Sequence, residues 1–135
     1  MLVLSNINAQ LLQPGQSITF DKVILDCGYG ECFNSQSPKS AKLCAKGVYA
    51  LSFSGNVTSG TVGDQLQLAI AVGNQPLIYS AMNATVSTAN GLENISTEIR
   101  YRNCCCDMDR VSIINTGAVP VTIAPNSAFV IDRRG

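Results

Sequence analysis

The chain has 135 residues, nine Lys+Arg against nine Asp+Glu, 13% charged side chains and no histidine. No basic surplus is available to neutralise phosphates, which argues against nucleic-acid binding. The missing imidazole removes the commonest general acid/base and the commonest metal ligand, so an enzyme is not expected.

The length is that of one domain, read here as residues 1–135, with residues 1–5 as an N-terminal docking extension. The opening Met1-Leu2-Val3-Leu4-Ser5-Asn6 carries neither a basic segment nor a long apolar one, so it does not read as a signal peptide. No stretch approaches the ~18 apolar residues of a membrane span, and no charge block suggests a membrane anchor. Sequons at Asn56, Asn83 and Asn94 are read as by-products of an Asn/Ser/Thr-rich composition.

Along the chain, period-two alternation predicts strand after strand. Residues 7–12 form the first, Pro14-Gly15 turns the chain, and Ile18-Thr19-Phe20 starts the next. Residues 26–38 read as a loop containing Cys27 and Cys32, and Ala41 to Cys44 as a brief strand. From Gly47 to Gly55, Tyr49, Leu51 and Phe53 share one face. In residues 65–73, Leu66, Leu68, Ile70 and Val72 oppose Gln65, Gln67, Ala69 and Ala71, and Gly73-Asn74 is the turn. Leu77 to Ala81 is predicted as a strand and residues 82–94 as a polar loop. In residues 95–103, Ile95, Thr97, Ile99 and Tyr101 oppose Ser96, Glu98, Arg100 and Arg102, as in a sheet with one face on the core and one in water. Arg110 to Asn115, Val119 to Ile123 and Ala128 to Ile131 complete a set of about ten strands without an amphipathic helix. An all-β sandwich, jelly roll or barrel follows.

Two segments carry a family resemblance. Gly47-Val48-Tyr49-Ala50-Leu51-Ser52-Phe53 resembles a strand of the tumour-necrosis-factor-like and complement-globular-head jelly rolls. Asn115-Thr116-Gly117-Ala118-Val119-Pro120-Val121-Thr122-Ile123, followed by Asn126-Ser127-Ala128-Phe129-Val130-Ile131, is similar to the ending of a bacterial and phage branch of that group. That branch includes the C-terminal domains of exosporium collagen-like glycoproteins and small proteins encoded with phage structural genes. The segment Asn8 to Phe20 and the Cys-Cys-Cys run before Asp109 also look similar to its phage-like members. The resemblance implies a jelly-roll β-sandwich of about ten strands that assembles as a three-fold homotrimer. It further implies a non-enzymatic virion protein, a capsid decoration or head fibre made in the host bacterial cytoplasm and carried on the particle surface. Its partners would be phage capsid or other virion proteins. The alternative it leaves open is a trimeric module of a phage tail or a bacterial cell or spore surface, gripping a host glycan or receptor through the loops 26–38 and 82–94.

Cys27, Cys32, Cys44 and the run Cys104-Cys105-Cys106 admit three readings. Free cysteines pack as small hydrophobes. As disulfide candidates, Cys27 and Cys32 are spaced to close a small loop, and a bridge from Cys104 or Cys106 would reach Cys27, Cys32 or Cys44, because strand neighbours point to opposite faces. As metal ligands, Cys104, Cys105 and Cys106 would hold structural zinc only with ligands from several chains at a trimer axis, since paired Cys-x-x-Cys spacing is absent. No other cofactor is expected. Asp64, Asp107 and Asp109 lack the pattern of a calcium loop and read as solvated turn formers. Glu98 reads as a salt-bridge partner of the polar face. Ala69 and Ala71, and Ile114 beside Val111 and Ile113, give strands apolar on both faces, as in a sheet covered by neighbouring protomers or in a tight sandwich.

Overall fold

A computed structural model describes residues 1–26, 30–103 and 109–135. The described residues form thirteen strands: β1 (Leu2–Ser5), β2 (Gln10–Leu12), β3 (Lys22–Asp26), β4 (Glu31–Cys32), β5 (Ala41–Leu43), β6 (Gly47–Thr58), β7 (Gln65–Val72), β8 (Gln75–Pro76), β9 (Met82–Thr85), β10 (Glu93–Asn103), β11 (Asp109–Asn115), β12 (Val121–Ile123) and β13 (Ala128–Arg133). Two antiparallel sheets face each other. In the first, β6 is flanked by β10 on one side and by β12 and β13 end to end on the other; β2 continues from β12, and β1 then β3 from β13. The second runs β4-β5-β11-β7, with β8 and β9 both on β7. This is an all-β jelly-roll sandwich.

Alternation places the core. Tyr49, Leu51, Phe53 and Val57 of β6, with Phe129 and Ile131 of β13, pack against Leu66, Leu68 and Ile70 of β7 and Val111 and Ile113 of β11. Phe20 and Phe129 stack with ring centroids 5.7 Å apart between the sheets. Gly73 (φ 58°) and Asn74 (φ 67°) are both left-handed, which makes the β7–β8 connection a two-residue type I′ hairpin, the turn whose twist matches its strands.

Several segments differ from the sequence expectation. Residues 2–5 are not an extension: β1 is paired on both sides, by β13 and β3, and Leu2 and Leu4 are fully buried. The strand expected to start at Ile18-Thr19-Phe20 starts later: β3 covers Lys22–Asp26 at the sheet edge with every residue exposed, while Ile18 and Phe20 are buried ahead of it. Leu77 to Ala81 is no strand. Ile78–Ser80 forms a 3-10 turn, with the buried Ser80 hydroxyl accepting from the Ile70 N–H (2.9 Å) and donating to the Leu77 carbonyl (2.7 Å). The expected polar loop begins with β9, paired to β7 from Gln65↔Thr85 to Leu68↔Met82.

The C-terminal motif has a physical basis. The side-chain amide of buried Asn115 donates to the Leu12 and Val119 carbonyls (both 3.0 Å) and its oxygen accepts from the Gly117 N–H (2.9 Å), fastening the turn after β11 to β2. Thr116 donates its hydroxyl to Gln67 at 2.8 Å. Asn6, fully buried, holds the second half of the motif in the same way.

Candidate assembly face and thiol pair

The outward face of the first sheet is built by the alternate residues of its strands. One row crosses four strands as Leu25, Val3, Val130 and Ser52 and ends on Glu98; adjacent rows carry Ala128 with Ser54 and Asp132 with Ala50. Apart from Asp132, these side chains are small or apolar on β1, β6 and β13, and Glu98 puts charge on β10. An open concavity of about 440 Å³ is lined there by Ser52, Ser54, Ser96, Glu98, Ala128 and Val130. Ion pairs rim the face: Arg100–Glu98 at 2.9 Å and Arg134–Asp132 at 3.0 Å. The Arg100 guanidinium, by hydrogen bond and charge, holds the Glu98 carboxyl below its ordinary value, in keeping with the salt-bridge reading of this residue. At one margin lies the edge strand β3, with Val23, Ile24 and Leu25 each at least 40% exposed. Leu11 of β2, 59% exposed, extends the apolar surface past β12.

The opposite sheet behaves differently. Ala69, Ala71 and Ser112 are buried within the single chain, so the apolar second face of β7 needs no neighbouring protomer. The tight-sandwich alternative describes that sheet, whereas the first sheet leaves its apolar surface open.

Of the cysteine candidates, Cys27, Cys104, Cys105 and Cys106 lie outside the described residues, as does Asp107. Cys32 and Cys44 are described and are brought together, with sulfurs 2.7 Å apart, a pair that the sequence spacing did not single out. Strand β4 pairs with β5 in the register Glu31↔Leu43 and Cys32↔Lys42, and the Cys44 N–H continues the ladder to the Gly30 carbonyl. Leu43 and Glu31 therefore point inward, and Cys32 and Cys44 share the outward face. Partial desolvation of the Cys44 sulfur, reinforced by the Cys32 thiol against it, pushes Cys44 up to about 11. Both thiols border an open concavity of about 340 Å³ with Phe33, Asn34, Lys42 and Arg110. Among the described residues no three Cys, Asp or Glu side chains converge as a metal site. Asp64 accepts from the Ser59 hydroxyl (2.5 Å) and Asp109 from the Tyr101 hydroxyl (2.6 Å), which gives both turn-region carboxylates a structural task.

Beneath the thiol pair lies a polar knot that composition gave no hint of. The buried Tyr49 hydroxyl donates to the Ala45 carbonyl (2.6 Å), with the Gly30 carbonyl 3.1 Å from the same oxygen. The Asn103 amide donates to those of Leu43 (3.2 Å) and Ala45 (3.1 Å). Gly30 sits at φ 103°, and a Cβ there would lie 2.5 Å from the Tyr49 oxygen, so only glycine fits. Glu31 is buried, with the Met1 nitrogen 2.5 Å from its carboxylate.

Burial raises the Tyr49 phenol above its ordinary value of 10.0. The unfolded chain then ionises first as pH climbs, so the stabilisation from the neutral phenol is complete below pH ~10 and is lost as pH rises through the folded value. Tyr49→Phe is expected to cost about 1–2 kcal/mol at neutral pH, from carbonyls left short of a donor. That deficit relative to wild type narrows above pH ~10, as urea unfolding at both pH values will show.

No family model matches the sequence, and no curated protein matches it. Solved structures do. The globular domain of zebrafish complement 1qA superposes with a TM-score of 0.67 over 98% of this chain and 97% of that one, at 15% identity. The Eiger tumour necrosis factor of S. frugiperda gives a TM-score of 0.74 over 99% and 91%, at 6% identity. The chain has the tumour-necrosis-factor/C1q jelly-roll fold. Murine APRIL at pH 5.0 matches as well, with a TM-score of 0.65 over 97% of this chain and 98% of that one, at 8% identity. At such identities the likeness concerns backbone architecture.

Proposed function

We propose that the protein is a non-catalytic structural module that works as a homotrimer, assembled through the outward face of the first sheet and its β3 edge. The observation that carries this reading is the partly exposed surface formed by Val3, Val130 and Ala128 beside the exposed Val23-Ile24-Leu25 edge. A long apolar sheet edge left in water invites pairing and aggregation, and burial in a closed oligomer removes it. Small residues over β6 let a neighbouring backbone approach closely, and the rim charges of Glu98, Arg100, Asp132 and Arg134 fix orientation more than affinity. Among the described residues, the open concavities do not gather a nucleophile with a base and an orienting group, which is why the reading is assembly and not turnover.

The place of that module is a virion surface, as capsid decoration or head fibre of a bacteriophage, made in the host cytoplasm. The resemblance of residues 115–131 to phage and exosporium endings supports it. Val130→Arg tests the assembly. The side chain points away from the core, so the variant is expected to fold with the wild-type circular dichroism and to sediment as a monomer. A Val130→Arg protein that remains trimeric removes this face from the interface.

A second reading, a receptor- or glycan-binding module, is favoured by Ile78 and Tyr79, 89% and 66% exposed in the 3-10 turn between β8 and β9. Ligand capture that is lost in Ile78→Ser/Tyr79→Ser while the trimer persists would support it.

A further inference from the structure

We propose that Cys32 and Cys44 form a redox modification site, closing to a cross-strand disulfide between β4 and β5 in an oxidising medium. The two thiols stand diagonally across one antiparallel pair, on the same outward face, with sulfurs 2.7 Å apart. That is closer than two sulfurs rest without bonding, and diagonal neighbours on paired strands need little backbone movement to bridge. Both residues are exposed, so a small oxidant reaches them. The ladder bond from the Cys44 N–H to Gly30, together with the Asn103 amide on the Leu43 and Ala45 carbonyls, already holds the Cys44 backbone in place.

The oxidant required is a low-molecular-weight disulfide of the glutathione type. One thiol loses its proton and attacks that disulfide, breaking its S–S bond and releasing one glutathione thiolate. The second thiol loses its proton and displaces the other glutathione from the mixed disulfide. Two cysteine thiols are oxidised, one glutathione disulfide is reduced to two glutathiones, and the two protons pass to the released thiolates. The raised Cys44 thiol reacts slowly near neutrality, so closure accelerates as pH rises towards about 11. The bond would fasten the two-residue strand β4 to the sheet and brace the side of the concavity formed by Phe33, Lys42 and Arg110.

Digestion of the full native chain separates the alternatives. Cleavage after lysine and arginine releases Cys44 in residues 43–46 and the three-cysteine run in residues 103–110, and cleavage after Glu31 parts Cys32, in residues 32–39, from Cys27. After incubation with glutathione disulfide and alkylation, non-reducing mass spectrometry is expected to find 32–39 joined to 43–46. The oxidised wild type is expected to melt about 3–8 °C above the reduced form, a gain that Cys32→Ser/Cys44→Ser lacks. Recovery of 43–46 fully alkylated, joined to 103–110 or joined to the Cys27 fragment would overturn the proposal. So would zinc bound in a form that chelation must remove before either thiol reacts.

Discussion

Phe129→Ala lowers the unfolding free energy by about 3–5 kcal/mol, the range for deleting a buried aromatic ring when its surroundings only partly collapse. Phe129 is fully buried and stacks on Phe20, and its strand is paired on both sides, with Leu4 opposite Phe129 on β1 and Phe53 opposite it on β6. The hole would open between two sheets, where neither can settle into it without breaking its own ladder. Phe129→Leu, which keeps most of the volume, should recover more than half of the loss. Urea unfolding of the two variants measures the difference. A loss below ~1 kcal/mol for Phe129→Ala would mean that this part of the core is not packed as described.

Asn6→Ala is expected to cost about 3 kcal/mol, more than a surface asparagine by an order of magnitude. The Asn6 amide donates to the carbonyls of Asn8 (2.9 Å) and Ala124 (3.1 Å), and its oxygen accepts from both the backbone N–H and the hydroxyl of Ser127. The Asn126 N–H also bonds the Asn6 carbonyl, at 2.9 Å, so one residue ties the end of β1 to the turn before β13. Truncation leaves several buried groups unpaired at once, and each such group carries the full cost of its lost hydration. Ser127→Ala removes only the hydroxyl and should cost about 1 kcal/mol. Near-equal losses for the two variants would show that the amide is not the hub. Thermal melts of both, with Asn115→Ala as a comparison at the other half of the C-terminal motif, settle the order.

The legible parts of the fold are those where one physical constraint acts alone. Strands β6 and β10 carry a readable period because one face meets the core: Tyr49, Leu51 and Phe53 share a face in the sequence, as do Ile95 and Ile99, and all five are buried in the fold. Strand β3 lies within the strand expected from Ile18 but starts at Lys22, because an edge strand has no alternation to fix its bounds, and β1 is not legible because four residues are too few to show a period. The 3-10 turn at Ile78–Ser80 was read as a strand because its stabilisation comes from one buried serine hydroxyl, which a hydrophobic pattern cannot register. The assembly face was legible only in part. Ala69 and Ala71 suggest a covered sheet, yet the chain buries them itself, while Val3 lies in a segment with no strand pattern. The Cys32–Cys44 pair was invisible because it depends on the register of a two-residue strand inside what looked like a loop.

The most direct test of the account is the mass of the purified chain in solution. Sedimentation equilibrium at micromolar concentration is predicted to give three times the 14.3 kDa chain mass, with no smaller species until the outward face of the first sheet is altered. A single species at the mass of one chain, stable and soluble at that concentration, would contradict it.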